Sequence, residues 1–470
     1  MISVTSLRGS MLRRLTLLVI TALLCMPAFT LVADAQIGSL LSCPISTLTG
    51  STSPEQVHIS ISQDESQMQV NWATESQTGS EVEWGLDGSL DNSAMGEEVC
   101  YDHDMVFHSG VMTGLEVASN YTYRVGDGSD WSEVHTFQTR DVSEDFTFLA
   151  FGDHGLSSEG MDTTDMVVDS GADFLILSGD ISYANGEQSV WDDYLDYNQQ
   201  SMSRMPWMMV PGNHENEPGY GFEAYETRFE YPSSSDSDHW HSFDYGPIHF
   251  TGFSTEHDYS VGSEQYQWLA ADLAEAVQQR EQIPWLIVYA HKPMYTSHDD
   301  ATHDEDAALR AGLEALFVES GVDLVFWGHD HFYERTWPVI DAEVQQRGDG
   351  GDGKVFSGAH APIHLIVGTA GRGQYQYSDE QPVWSAYREQ SYGIVRVSVD
   401  ITGESLQVDY IRQNGEIGDT FTLRQGEAIP SEDDDSMPAP SMLLTVTTIV
   451  FAVMFRDSRA RALHLRPSSA

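Results

Sequence analysis

Aspartate, asparagine, histidine and one tyrosine recur in this chain directly behind apolar runs, and these are the side chains that ligate metals. Five segments share this build: 148–153 (FLAFGD), 174–183 (FLILSGDISY), 208–215 (MMVPGNHE), 286–291 (LIVYAH) and 324–331 (LVFWGHDH). Carboxylate, phenolate and amide oxygens mixed with imidazole nitrogens suit iron, manganese or zinc, and no sulfur is offered. Asp180, a carboxylate with two oxygens, can bridge, which holds two cations at roughly 3.5–4 Å, the separation used for in-line displacement at phosphorus.

An apolar run followed by a polar break is how a buried strand ends in a loop. In open α/β sheets, sites collect outside the carboxyl ends of the strands, so five ligand-bearing loops after five strands converge on one edge. Each motif alone is weak, because a Gly-Asp pair is usually a turn and a lone histidine usually a structural hydrogen bonder. The ordered set of five is what carries the inference.

That set, GDxG, GDxxY, GNHE, an apolar strand ending in His, and GHxH, resembles the metallophosphoesterases, and Tyr183 narrows the resemblance to the purple acid phosphatases. The resemblance implies that Asp153, Asp180, Tyr183 and His331 hold a ferric ion, and that Asp180, Asn213, His291 and His329 hold a divalent zinc, manganese or iron ion. A phenolate on iron(III) would colour the protein. Segments 240–250, 291–295, 328–335 and 367–371 also look like family segments, so the likeness runs roughly from 54 to 423. His154 and Phe332 are modest departures that remove no ligand. The implied activity is that of an acid phosphatase cleaving small phosphate monoesters by attack of metal-bound hydroxide. The runner-up is a phosphodiesterase or nucleotide pyrophosphatase on the same site. A catalytically retired surface-binding protein is the alternative from another class, and the intact ligands argue against it.

Proton transfer to the leaving alkoxide calls for histidine. His214 follows Asn213 directly, and His298 and His303 lie in the loop after His291, where the family carries its substrate-facing histidines; spacing alone does not choose among them. Glu215 reads as an orienter of an imidazole rather than a ligand. Tyr333 and Arg335 read as packing, and His239, His241, His249, His360 and His364 as structural.

Two domains are expected. Residues 54–140 carry short alternating runs such as VHISI, MQVNWAT and YTYRV, the pattern of an all-β sandwich that matches the fibronectin type III-like domain of larger purple acid phosphatases. Residues 145–428 alternate strands with helical stretches at 264–280 and 304–320, the latter stopped by Gly321. These predict a four-layer α/β/β/α catalytic domain. A hinge is expected in the polar stretch 140–145.

Both ends read as addresses. Residues 1–35 have a basic start, an apolar run and Ala33-Asp34-Ala35, the arrangement of a secretory signal. A leader, 36–53, follows. Export leaves Cys43 and Cys100 as an even pair in an oxidising compartment, which favours a disulfide. Residues 429–470 combine an acidic linker, an apolar stretch and a basic tip, like a surface-sorting or anchoring tail. The expected location is therefore extracellular, with attachment at the cell surface or membrane. Twenty-two basic residues against 73 acidic ones give a net charge of −51. That excess argues against nucleic acid as a partner and for a protein solvated at high salt.

Overall fold

The computed structural model describes residues 43–141, 143–231, 237–299 and 306–426. The expected signal, the first part of the leader, the tail from 429 and His303 lie outside the described residues.

The N-terminal domain is a sandwich of two antiparallel four-stranded sheets. One runs Glu55–Ile61, Gln67–Thr74, Val106–Thr113, Glu97–Val99; the other runs Asn92–Met95, Glu81–Leu86, Asn120–Gly126, His135–Gln138. Inward-facing Val57, Val70, Trp72, Val82 and Tyr123 share its core. Strand Val106–Thr113, which pairs with both Gln67–Thr74 and Glu97–Val99, escapes the sequence pattern because Ser109 and Gly110 interrupt it. A Cβ on Gly110 would sit 3.3 Å from a Val82 methyl and 3.7 Å from the Trp72 ring, so the glycine leaves room for the facing sheet.

The C-terminal domain packs two seven-stranded sheets face to face. The first runs Trp207–Val210, Phe174–Ser178, Phe146–Phe151, Gly393–Val399, Ser405–Arg412, Ile417–Arg424, Val355–Ser357. The second runs His241–Tyr245, Ile248–Gly252, Trp285–Ala290, Leu324–Trp327, Ile363–Val367, Tyr333–Thr336, Ser385–Glu389. The segments that end in the candidate metal-binding residues are parallel within each sheet. Buried on both faces, they read as continuous apolar runs rather than alternating ones. Phe148 bridges the sheets, its ring centre 5.1 Å from Phe250 and 6.2 Å from Phe326.

Helices cover the outer faces. Ser158–Asp169 and Gln188–Met202 send Val167, Trp191 and Leu195 onto the first sheet's core. Leu269 and Leu273 of Glu264–Gln278 join Leu313 and Phe317 against the second. Ser263 caps Glu264–Gln278, accepting from the Tyr266 amide. From Asp306 the chain is helical through a π-helical Arg310–Glu314 to Ser320, and Gly321 closes it at φ 68°.

At the start of the expected hinge stretch, Arg140 touches both domains. Arg140 donates to the Asp244 carbonyl (2.8 Å), pairs with Glu65 and lies over Tyr245. Farther along the interface the buried Arg228 of the C-terminal domain stacks on Tyr101 and Phe107 of the sandwich and reaches Asp192 at 3.3 Å. The Cys43–Cys100 disulfide is formed beside this contact.

Candidate metal centre

All five strand ends deliver their polar residues to one edge, and the turns that do so are tight. Asp153, Asp180, Tyr183 and His329 have φ of 61°, 55°, 59° and 68°, in the left-handed region that non-glycine residues rarely occupy. Such strain, of order 1–3 kcal/mol each, persists where surrounding structure over-determines it, and it clusters at functional sites. The loops also approach too closely for extra side-chain volume: a Cβ on Gly212 would strike the Asp180 carboxylate.

The donor atoms form two groups. In the first, Asp153 Oδ1 lies 3.0 Å from the Tyr183 hydroxyl and 3.2 Å from His331 Nε2, which is 3.2 Å from that hydroxyl. In the second, His291 Nε2 lies 3.0 Å from Asn213 Oδ1, 3.2 Å from Asp180 Oδ1 and 3.2 Å from His329 Nδ1. Asp153, Asp180 and His291 place ligand atoms within 4.8 Å of one another, which joins the groups.

The tautomers make these groups suited to cations. His291 Nδ1 faces the Ser178 carbonyl at 2.8 Å and His331 Nδ1 faces the Gly373 carbonyl at 2.7 Å. A carbonyl only accepts, so each Nδ1 carries the proton and each Nε2 turns a lone pair toward oxygen atoms. Charge points the same way. Burial pushes the Asp180 carboxyl well above its ordinary range, and Asp153 and Glu215 add to it; burial, Asp153 and Asp180 raise the Tyr183 hydroxyl likewise. Bound cations would remove this penalty.

Glu215 is fully buried. Its carboxylate accepts from the amides of Asp180 (2.9 Å), Ile181 (2.9 Å) and Gly212 (2.7 Å). It therefore ties two ligand loops together through backbone, where an imidazole had been expected as its partner. Burial lifts it to about 7.

His214 stands at the edge of the group, its ring centre 4.3 Å from Tyr183 and Nε2 3.7 Å from Asp180 Oδ2. Nδ1 is held by Asn185 Oδ1 at 2.5 Å. His298 stacks on Phe332 and meets the edge of Tyr375, whose ring also stacks on His331 at 4.0 Å. His298 is thus one ring removed from a ligand position.

Three neighbours were missed from sequence: Asn185, Tyr375 and Arg372, whose guanidinium lies 4.0 Å over the Tyr183 ring. One signal was available for the last two. Ile363–Val367 is parallel to Leu324–Trp327, so the loop after it must open on the same edge. His154 is buried between the Tyr194 hydroxyl and the Gly160 carbonyl. Tyr333 and Arg335 both bond Asp419.

Known proteins share this architecture. The chain matches the family described as calcineurin-like phosphoesterase over residues 146–333, the purple acid phosphatase N-terminal domain over 54–139 and the iron/zinc purple acid phosphatase-like C-terminal region over 361–420. It is similar to acid phosphatase type 7 of Danio rerio, 33% identical over 79% of this chain and 91% of the relative. It is also similar to purple acid phosphatase 18 of Arabidopsis thaliana, 34% identical over 73% of this chain and 78% of the relative. The solved purple acid phosphatase from yellow lupin seeds has the same fold, with a TM-score of 0.71 at 23% identity over 83% of this chain and 78% of that one. The chain belongs to the purple acid phosphatase family.

Proposed function

We propose that this acid phosphatase hydrolyses phosphate monoesters at a two-metal centre. In this reading Asp153, Asp180, Tyr183 and His331 hold Fe3+, while Asp180, Asn213, His291 and His329 hold divalent zinc, manganese or iron. The observation that carries it is the pair of imidazole lone pairs, on His291 and His331, aimed at carboxylate, carboxamide and phenol oxygens within 3.0–3.2 Å. When bound, the two ions supply Lewis acidity to the phosphoryl oxygens and activate water for in-line attack.

The chain's own side chains do the rest. Asn185 Oδ1 accepts the His214 Nδ1 proton, so Nε2 has a proton to give to the departing alkoxide only as the imidazolium, a form that burial disfavours by lowering His214 to about 4 and that acidic conditions restore. The His214 side chain is 34% exposed, so a leaving group has access to it. His303, which lies outside the described residues, is the next candidate donor, and His298, behind Tyr375, the third. Glu215 keeps the Asp180 and Asn213 loops in register before substrate arrives.

The Cys43–Cys100 disulfide supports export to an oxidising compartment. Metal analysis, a visible spectrum and paired turnover of p-nitrophenyl phosphate and bis-p-nitrophenyl phosphate test the proposal. The expected result is two metals per chain including iron, a tyrosinate charge-transfer band, and preference for the monoester. A folded protein that binds no ions when iron and a divalent metal are supplied, or that prefers the diester, overturns it.

A further inference from the structure

We propose that Arg372 receives the non-bridging oxygens of the substrate phosphoryl group, an inference that rests on the phosphatase reading above. In a chain with 22 basic and 73 acidic residues, a cation readily finds a carboxylate. Arg124 faces Glu83, Arg280 faces Asp323, Arg335 faces Asp419, Arg412 faces Glu389, and Lys292, next to His291, faces Glu256. Arg372 makes no ion pair and no side-chain hydrogen bond among the described residues. Its guanidinium lies over the Tyr183 ring, Cζ 4.0 Å from the ring centre.

The backbone that presents it is firmly held. The Arg372 amide donates to the Asp153 carbonyl at 3.2 Å. The Ala370 and Gly371 carbonyls accept from the hydroxyls of Thr163 and Ser157, each at 2.6 Å. The side chain itself is only partly covered.

A guanidinium flat on an aromatic face gains cation–π attraction while its in-plane N–H donors remain free to fork onto a phosphate. An unpaired cation beside a cation-binding centre is disfavoured until an anion arrives, and the anion this centre would meet is a phosphate ester. A packing role alone would be served equally by an apolar stem.

The test measures inorganic phosphate binding to the metal-loaded protein by titration calorimetry, with metal content and the KM and kcat for p-nitrophenyl phosphate, in wild type, Arg372→Met and Arg372→Lys. Arg372→Met is expected to retain both metals and to weaken phosphate binding by about 10- to 100-fold, with a matching rise in KM, as loss of charge-assisted hydrogen bonds predicts. Arg372→Lys, which keeps the charge without the fork, is expected to recover part of the loss. Phosphate affinity in Arg372→Met within about twofold of wild type overturns the inference. Should Arg372→Met fail to fold or to hold metal, Arg372→Lys decides: severalfold weaker phosphate binding supports the inference and unchanged binding overturns it. A wild type that lacks metal or turnover sinks the phosphatase reading itself, an outcome distinct from unaltered variants of an active enzyme.

Discussion

His291 Nδ1 lies 2.8 Å from the carbonyl oxygen of Ser178, and this one hydrogen bond fixes which ring nitrogen is bare. It also links the two sheets, since Ser178 ends a strand of the first and His291 follows a strand of the second. The proposed ligand is therefore oriented before any metal binds.

Replacing His291 with alanine should remove one metal and spare the other. Asp153, Tyr183 and His331 touch one another without it. The expected outcome is a fall from two metals to one by elemental analysis, with the tyrosinate band retained and phosphatase turnover lost. Loss of both metals together would show that the two groups do not bind independently.

Glu215→Gln should loosen the site without deleting a ligand. The carboxylate accepts from three backbone amides. A carboxamide in its place turns an NH2 toward at least one of them, and an unsatisfied buried donor costs about 1–3 kcal/mol. Denaturant unfolding of the metal-free proteins should show that loss, and metal affinity should fall with it. Equal unfolding midpoints would mean that the two loops are held by other contacts.

Much of this was legible in sequence, for physical reasons that also mark where legibility ended. Fully buried parallel strands must read as apolar runs, so Phe174–Ser178 and Leu324–Trp327 announce themselves, and ligands follow at their carboxyl ends. Arg372 sits on a comparable loop, but an arginine after VGTAG has no distinctive spacing, and only the placement of Ile363–Val367 in the parallel set exposes it. The contacts that dock Arg140 are not legible locally, because they come from residues as distant as Asp244. Val106–Thr113 was lost because Gly110 serves the facing sheet rather than its own strand.

Stability should fall as pH rises through the range between 6.5 and about 9, through His249. Burial opposes its charge, but Asp244 (2.6 Å) and Asp272 (3.1 Å) overcome that and raise it to about 9. A folded-state pKa above the unfolded value of about 6.5 contributes stability that is complete below 6.5 and disappears as pH passes 9. The rise corresponds to an upper figure of about 3 kcal/mol at 1.36 kcal/mol per pH unit. Unfolding midpoints of wild type and His249→Gln should differ most at pH 6 and converge toward pH 9.5. A difference that does not vary with pH would contradict the ion-pair account.

Activity should rise with ionic strength. A phosphate ester approaching a chain of net charge −51 meets long-range repulsion, which salt screens over about 10 Å at 0.1 M and about 3 Å at 1 M. Contacts among the buried site residues are shielded from solvent ions and suffer less. The effect should therefore appear as a falling KM for p-nitrophenyl phosphate between low and molar salt with kcat little changed. A flat or rising KM would count against electrostatic control of substrate approach.

Removing the disulfide should weaken the fold and leave the metal site assembled. Cys43 and Cys100 are 57 residues apart, and closing a loop of that length stabilises by about 4 kcal/mol in the chain-entropy account. The neighbouring Tyr101 bonds Gln188 and accepts from Arg228, while Gln188 and Trp191 both bond Glu217, just beyond Asn213. A path from the bridge to a ligand loop thus exists. Yet Glu215 clamps that loop to Asp180 from within the catalytic domain, and this clamp does not pass through Tyr101. A Cys43→Ala, Cys100→Ala double variant should therefore melt earlier but still bind two metals at temperatures where it is folded. Loss of one metal in the folded variant would show that the sandwich positions the centre as well as bracing the domain that carries it.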